Sequence, residues 1–238
     1  MEEKSWLNSS DALPMLEFLR DTASSRKLRL YACGCARRVW HLLLDERSRL
    51  AVEAAERHAD GMSNDVQLKL ACDAASEAAW TIQREGPRND AADMAACVAA
   101  DSARPSEEFR TSPEGDDFTA ATDAAHCAAS AIEYAAYAAS RSPDAARKTE
   151  EKALAILVRD VFGNPFRPIT FAAEWRTDTT VTLARQMYEA RDFSAMPILA
   201  DALQDAGCGS ADILTHCRDA NQLHVRGCWV VDLVLGKE

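Results

Sequence analysis

Residues 118–140 read FTAATDAAHCAASAIEYAAYAAS, in which eleven positions are alanine and none is glycine or proline. Alanine loses no side-chain entropy in a helix and has the best helix propensity, so a run of this kind has no competitive alternative. The same character extends outward. Alanine supplies 45 of 238 residues, concentrated between positions 51 and 146, while Gly (9) and Pro (8) fall mostly where helices should end. The chain is therefore expected to be all-α, a multi-helix bundle with an alanine-rich helical middle.

Caps and breakers divide it. A short helix is expected over 12–20 with Pro14 in its first turn, and a longer one from Ser24 or Ser25 to about Leu44. Asp45 caps a third that stops at Gly61; Ser63 or Asn64 starts a fourth, ended by Gly86-Pro87; a fifth spans 90–103. The stretch 105–117, acidic and carrying two prolines and a glycine, reads as a loop. Further helices are expected over 118–140, 144–162, 179–191, 196–206, 211–218 and 225–235, with an extended piece within 165–175. One domain results, in three parts: N-terminal helices over 1–61, an alanine-rich acidic lobe over 62–163, and a C-terminal helical segment over 164–238 that packs on the first part.

Three stretches look alike: Ala71-Cys72-Asp73-Ala74-Ala75, Ala96-Cys97-Val98-Ala99-Ala100 and His126-Cys127-Ala128-Ala129-Ser130. Their unequal offsets, 25 and 30 residues, mark compositional likeness rather than a solenoid. Small residues let three helices approach closely, with Trp80, Ile132 and Tyr134 expected to fill the wider gaps.

The net charge of −11 sits mainly in the middle, where residues 61–140 carry 5 basic and 14 acidic groups. Such a surface repels nucleic acid and anionic lipid and suits another protein, a basic one, as partner. The acidic start, Met1-Glu2-Glu3-Lys4, is unlike an export signal, and the eight cysteines are irregularly spaced. A cytoplasmic location with reduced thiols is the expectation.

On a helical wheel, Leu28, Tyr31, Ala32, Cys35, Val39, Leu42 and Leu43 form one apolar face, and Arg26, Lys27, Arg37, Arg38 and His41 lie opposite as a candidate interaction surface. Cys33 and Cys35 are about 200° apart, which rules out chelation by that pair on an intact helix. Cys33 shares a stripe with Arg37 and His41, and a neighbouring cation favours a thiolate, so an enzyme acting through Cys33 is one reading. The C-terminal quarter gathers Cys208, His216, Cys217, His224 and Cys228. His224 and Cys228, four apart on a helix, would offer two corners of a tetrahedral zinc site that the others could complete. Asp212 and His216 form another pair at this spacing, which could orient an imidazole. No phosphate loop, nucleophile elbow or His-Glu-x-x-His occurs.

The segments Pro14-Met15-Leu16-Glu17-Phe18-Leu19-Arg20, Arg37-Arg38-Val39-Trp40-His41-Leu42, Asn164-Pro165-Phe166-Arg167-Pro168, Met196-Pro197-Ile198-Leu199-Ala200-Asp201 and His224-Val225-Arg226-Gly227-Cys228-Trp229 together resemble a planctomycete-type bacterial protein family with no assigned activity. The resemblance covers 1–61 and 164–238. It implies that the two ends belong together and carries over no catalytic residue. Trp6, Trp40, Trp175 and Trp229 all lie in those ends, so the basic helix and the Cys/His set are expected to meet. The leading expectation is a non-enzymatic interaction or regulatory module without a cofactor. The alternative is a zinc-type protein using the C-terminal cluster, and the third a thiol- or His-dependent enzyme.

Overall fold

Gly34 lies within the longest uninterrupted buried stretch, Leu28 to Ala36, and a side chain there would come within 2.9 Å of Leu157. That close approach identifies the central helix of a computed structural model, which describes residues 1–85, 89–105, 117–219 and 222–237. Twelve α-helices and no strand occur among the described residues: α1 (Glu3–Asn8), α2 (Leu13–Leu19), α3 (Ser25–Arg38), α4 (Glu46–Ala59), α5 (Asp65–Glu85), α6 (Asp90–Ser102), α7 (Asp117–Ala138), α8 (Pro143–Phe162), α9 (Asp178–Ala190), α10 (Met196–Asp205), α11 (Ala211–Arg218) and α12 (Trp229–Leu235). The all-α expectation is met. No helix is long and apolar enough to cross a membrane among the described residues.

Capping explains most boundaries. Ser24, Asp45 and Asn89 accept backbone N–H bonds from Lys27, Arg47 and Ala92, and Asn64 and Gln67 cap α5 reciprocally. Four boundaries depart from the sequence reading. Helix α1 forms in a polar stretch because Trp6 is fully buried. Helix α3 ends at Arg38, and residues 40–42 make a 3-10 turn. The 165–175 segment contains a 3-10 turn rather than a strand, and α12 begins at Trp229, four residues later than expected. The Gly86-Pro87 break and residues 106–116 of the acidic loop lie outside the described residues.

Helix α3 contacts α4, α6, α7 and α8, so it is enclosed rather than amphipathic. The solvated basic face predicted for it is therefore corrected: Arg26, Lys27, Arg37 and Arg38 are half-buried and ion-paired within the chain, and His41 alone of that set is exposed. Arg29 is buried too. Its guanidinium donates to the carbonyls of Ser102 (3.3 Å) and Arg104 (2.7 Å) and to the Asp117 carboxylate (2.9 Å). One cation thus satisfies the C-terminal end of α6 and an acid in the first turn of α7, the two helix ends where those charges are favourable.

Alanines 91, 92, 95, 96 and 99 of α6 and 120, 121, 124, 125, 128 and 129 of α7 are buried, which lets these backbones pack closely. Trp80 and Tyr134 do not fill gaps there. They are 62% and 43% exposed, since small residues already close the interface.

Two apolar cores result, one drawn from α1 to α8 and one from α9 to α12. Between them runs an ionic seam. Asp60, 1% exposed, accepts from Tyr188 (2.6 Å), Arg226 (2.9 Å) and Lys237 (2.8 Å); Asp232, 2% exposed, pairs with Arg26 and Lys27, each at 2.7 Å. Glu56, also 2% exposed, meets Arg37, Arg191 and Arg226. Gly227, at φ +94°, lies so close to Leu30 that a side chain would meet its Cβ at 2.9 Å. The seam thus joins the N-terminal helices to the C-terminal unit.

Burial pushes the Glu56 and Asp60 carboxyls up, but the hydrogen bonds of Arg37 and Arg191, and of Lys237 and Tyr188, outweigh it and hold both below their ordinary values. Folded-state carboxyls of this kind bind protons less readily than unfolded ones. Their stabilisation is therefore full above the ordinary carboxylate range and is lost as pH falls below about 4. Chemical denaturation at pH 7, 5 and 3.5 should show the decline only in the last step. Asp60→Ala, which strands its buried partners, should cost about 3–5 kcal/mol at pH 7.

Candidate metal centre

Asp160 occupies the last turn of α8, one turn after the buried Leu157 on the same face of the helix, and is itself fully buried. An isolated carboxylate at such depth is costly unless it is bonded. Three groups answer it. His216, in the last turn of α11, brings Nε2 to 3.3 Å of Oδ1; His224 brings Nδ1 to 2.8 Å of the same oxygen; and the Val225 backbone N–H donates to Oδ2 at 3.0 Å. Cys228, just before α12, closes the group, with Sγ 3.3 Å from His216 Nε2 and 3.8 Å from His224 Nδ1.

Asp160 Oδ1, His216 Nε2, His224 Nδ1 and Cys228 Sγ all lie within 4.8 Å of one another. For a tetrahedral zinc with bonds of about 2.0–2.3 Å, ligand atoms should be about 3.3–3.6 Å apart. The four separations above, 2.8 to 3.8 Å, straddle that range. The side chains are 0%, 10% and 8% exposed for Asp160, His216 and His224, and Cys228 is wholly buried. Such a donor set is closed to bulk water.

Glycine geometry makes the approach feasible. Gly163, at φ +69°, ends α8 and presents a bare backbone to the Trp229 ring, whose atoms lie 3.2–3.5 Å from where a Cβ would stand. Trp229 then donates its indole N–H to His216 Nδ1 at 3.2 Å. An indole is only a donor, so Nδ1 is the accepting nitrogen and the ring proton of metal-free, neutral His216 sits on Nε2, facing Asp160. Two histidine N–H groups and one backbone N–H then saturate the carboxylate. Burial alone would raise the Asp160 carboxyl, but the bonds from His216 and His224 hold it below its ordinary value. Burial, with Asp160 beside it, pushes the Cys228 thiol well up, against the downward pull of backbone N–H groups of α12.

The five residues singled out in the C-terminal quarter divide. His216, His224 and Cys228 converge; Cys208 and Cys217 do not, being buried in the apolar core of α9 to α12. Cys217 follows His216 by one residue, which turns it about 100° away, and burial pushes its thiol up to about 12. His224 and Cys228 meet although neither belongs to a helix: the turn at Gly227, not an i,i+4 spacing, brings them together. Asp212 is exposed and approaches Arg167 at 3.9 Å, so it does not orient His216. The ligand overlooked in the sequence is Asp160, whose signal is an acid three residues after Leu157, on the apolar side of a helix's last turn.

Cys33 is also corrected. It is 2% exposed, and burial together with Glu56 pushes its thiol up despite Arg29 and Arg37. Arg37 is committed to Glu56, and His41 lies beyond the end of α3. This geometry weighs against the thiolate that one reading of the sequence requires.

Compared with protein-family models, curated proteins and solved structures, the chain matches none.

Among the eight free cysteines, Cys33, Cys35, Cys208, Cys217 and Cys228 are buried. Native alkylation read by mass spectrometry should modify Cys72, Cys97 and Cys127 first and leave the other five intact until unfolding. Early labelling of Cys33 would contradict the enclosed α3.

Proposed function

We propose that this chain is a metal-binding protein whose zinc-type ion, held by Asp160, His216, His224 and Cys228, fastens the C-terminal helical unit to the end of α8. The observation that carries this reading is the convergence of four ligand atoms from α8, α11 and the turn before α12 within 4.8 Å. A carboxylate, two imidazoles and a thiolate suit zinc better than the all-oxygen cations. Four protein ligands without an open position favour a structural role over a catalytic one.

Loading must release the Cys228 thiol proton and displace the proton on His216 Nε2. At His216 the indole bond is either kept on an imidazolate or broken as the proton moves to Nδ1. Both change the surroundings of Trp229. Affinity should fall as pH falls, since acid returns protons to the ligands.

Untagged protein purified without chelator should contain one zinc-type ion per chain by inductively coupled plasma mass spectrometry. His216→Ala, His224→Ala and Cys228→Ser should each lose it. Free zinc at a thousand times its Kd should stabilise the wild type by about 4 kcal/mol, and Trp229 emission should change on loading. Metal-free protein that ignores added zinc would refute the reading.

A second reading, an interaction module, is favoured by one face of α5. Val66, Leu70 and Trp80 share it and are 55%, 65% and 62% exposed, an unusual apolar display on an acidic protein. Under this reading Leu70→Glu with Trp80→Ala abolishes partner capture and leaves the melting temperature in place.

A further inference from the structure

A cavity of about 140 Å³ lies against the other side of His224, between α3, α4 and the turn before α12. Its charged walls are Arg37, Glu56, Arg191 and Arg226, and Cys33 and Phe193 add apolar surface. Three guanidinium groups therefore surround one carboxylate. The wider seam repeats the imbalance, with Arg26, Lys27, Arg37, Arg191, Arg226 and Lys237 set against Glu56, Asp60 and Asp232. In a chain of net charge −11, this concentration of cations is a local inversion of the protein's field.

Several donors at the cavity remain uncommitted. Arg37 and Arg191 each use Nε and Nη2 on Glu56, leaving Nη1 of both without a protein partner among the described residues. His224, whose side chain is 8% exposed, commits Nδ1 to the four-atom cluster and has no partner at Nε2 among the described residues. Arg226 Nε, in the same cavity wall, is buried without an acceptor, a state that proteins usually satisfy, whereas the Arg37 and Arg191 side chains are 23% and 35% exposed and offer their free nitrogens to solvent.

We propose that this cavity binds a small oxyanion, a phosphate or a carboxylate group, between Arg37, Arg191 and His224. Guanidinium groups form strong charge-assisted bonds to such oxygens. The volume admits an ion of that size. The site rests in part on the metal reading, through the tautomer of His224. Without metal, neutral His224 places its proton on Nδ1 toward Asp160, and Nε2 is an acceptor that repels an anion. With metal on Nδ1, the proton moves to Nε2, which then donates into the cavity. Uptake of a divalent ion with loss of the Cys228 proton also raises the net charge of the cluster by one, which favours a neighbouring anion as well. Each ligand therefore raises the other's affinity by the same factor.

Isothermal titration with sodium phosphate and with sodium acetate, at ionic strength held constant with sodium chloride, tests this on the full chain. Zinc-loaded wild type should show saturable binding of at least one of the two, and which one identifies the oxyanion class. Arg191→Gln, checked for folding by its melting curve and for unchanged zinc content, should bind about tenfold more weakly. Chelator-stripped wild type should also bind more weakly, by about tenfold if the coupling is of ordinary size. Heats no different from chloride in zinc-loaded wild type would overturn the anion site while leaving the metal reading intact. Saturable binding by a chain that takes up no zinc would support the site and refute the metal reading.

Discussion

A carboxylate with no access to water must be neutralised or bonded on every side, and Asp160 imposes that requirement at the end of α8. The C-terminal unit is built to meet it. His216 arrives on α11, His224 and the Val225 N–H on the turn that follows, and Cys228 at the start of α12. These groups gather around that acid, and the helices that carry two of them, α11 and α12, are too short to be stable alone. Their packing against α8 is thus inseparable from the satisfaction of Asp160, with or without an ion at its centre.

Around this point the molecule uses charge as glue in a place where most proteins use apolar contact. The seam of Glu56, Asp60 and Asp232 with six cations is largely shielded from water, so each pair is screened less than a surface pair and each is costly to break. Its donors come from α3 on one side and from α9, the 222–228 turn and residue 237 on the other. Specificity follows from the geometry. A C-terminal unit docked one turn out of register would strand several buried charges at once.

The same cations explain why a chain with a strongly acidic middle has an electropositive interior junction. The described acidic groups of residues 61–140 lie on α5, α6 and α7, whereas the basic groups of α3 are turned inward. The cavity beside His224 inherits the surplus. A metal on one nitrogen of that imidazole and an anion on the other would be coupled by a single proton, with no movement of the backbone required.

The helical class and most caps were legible in the sequence, because alanine propensity and capping are local properties that act within a few residues. Three of the four converging side chains were also legible, since His216, His224 and Cys228 crowd a short stretch rich in ligand types. Their spacing led to a wrong mechanism of assembly, as the joining element is the turn at Gly227 rather than a helix. Asp160 is 56 residues before His216 and was invisible to any argument from spacing. The basic face of α3 illustrates the same limit: a wheel shows which side is charged and cannot show that another part of the chain covers it. What the sequence determined by itself was therefore the set of elements and the stock of reactive groups. Tertiary structure alone decided which charges are buried together, because the partners of Asp160, Glu56 and Asp60 come from distant segments whose meeting depends on the packing of the whole chain.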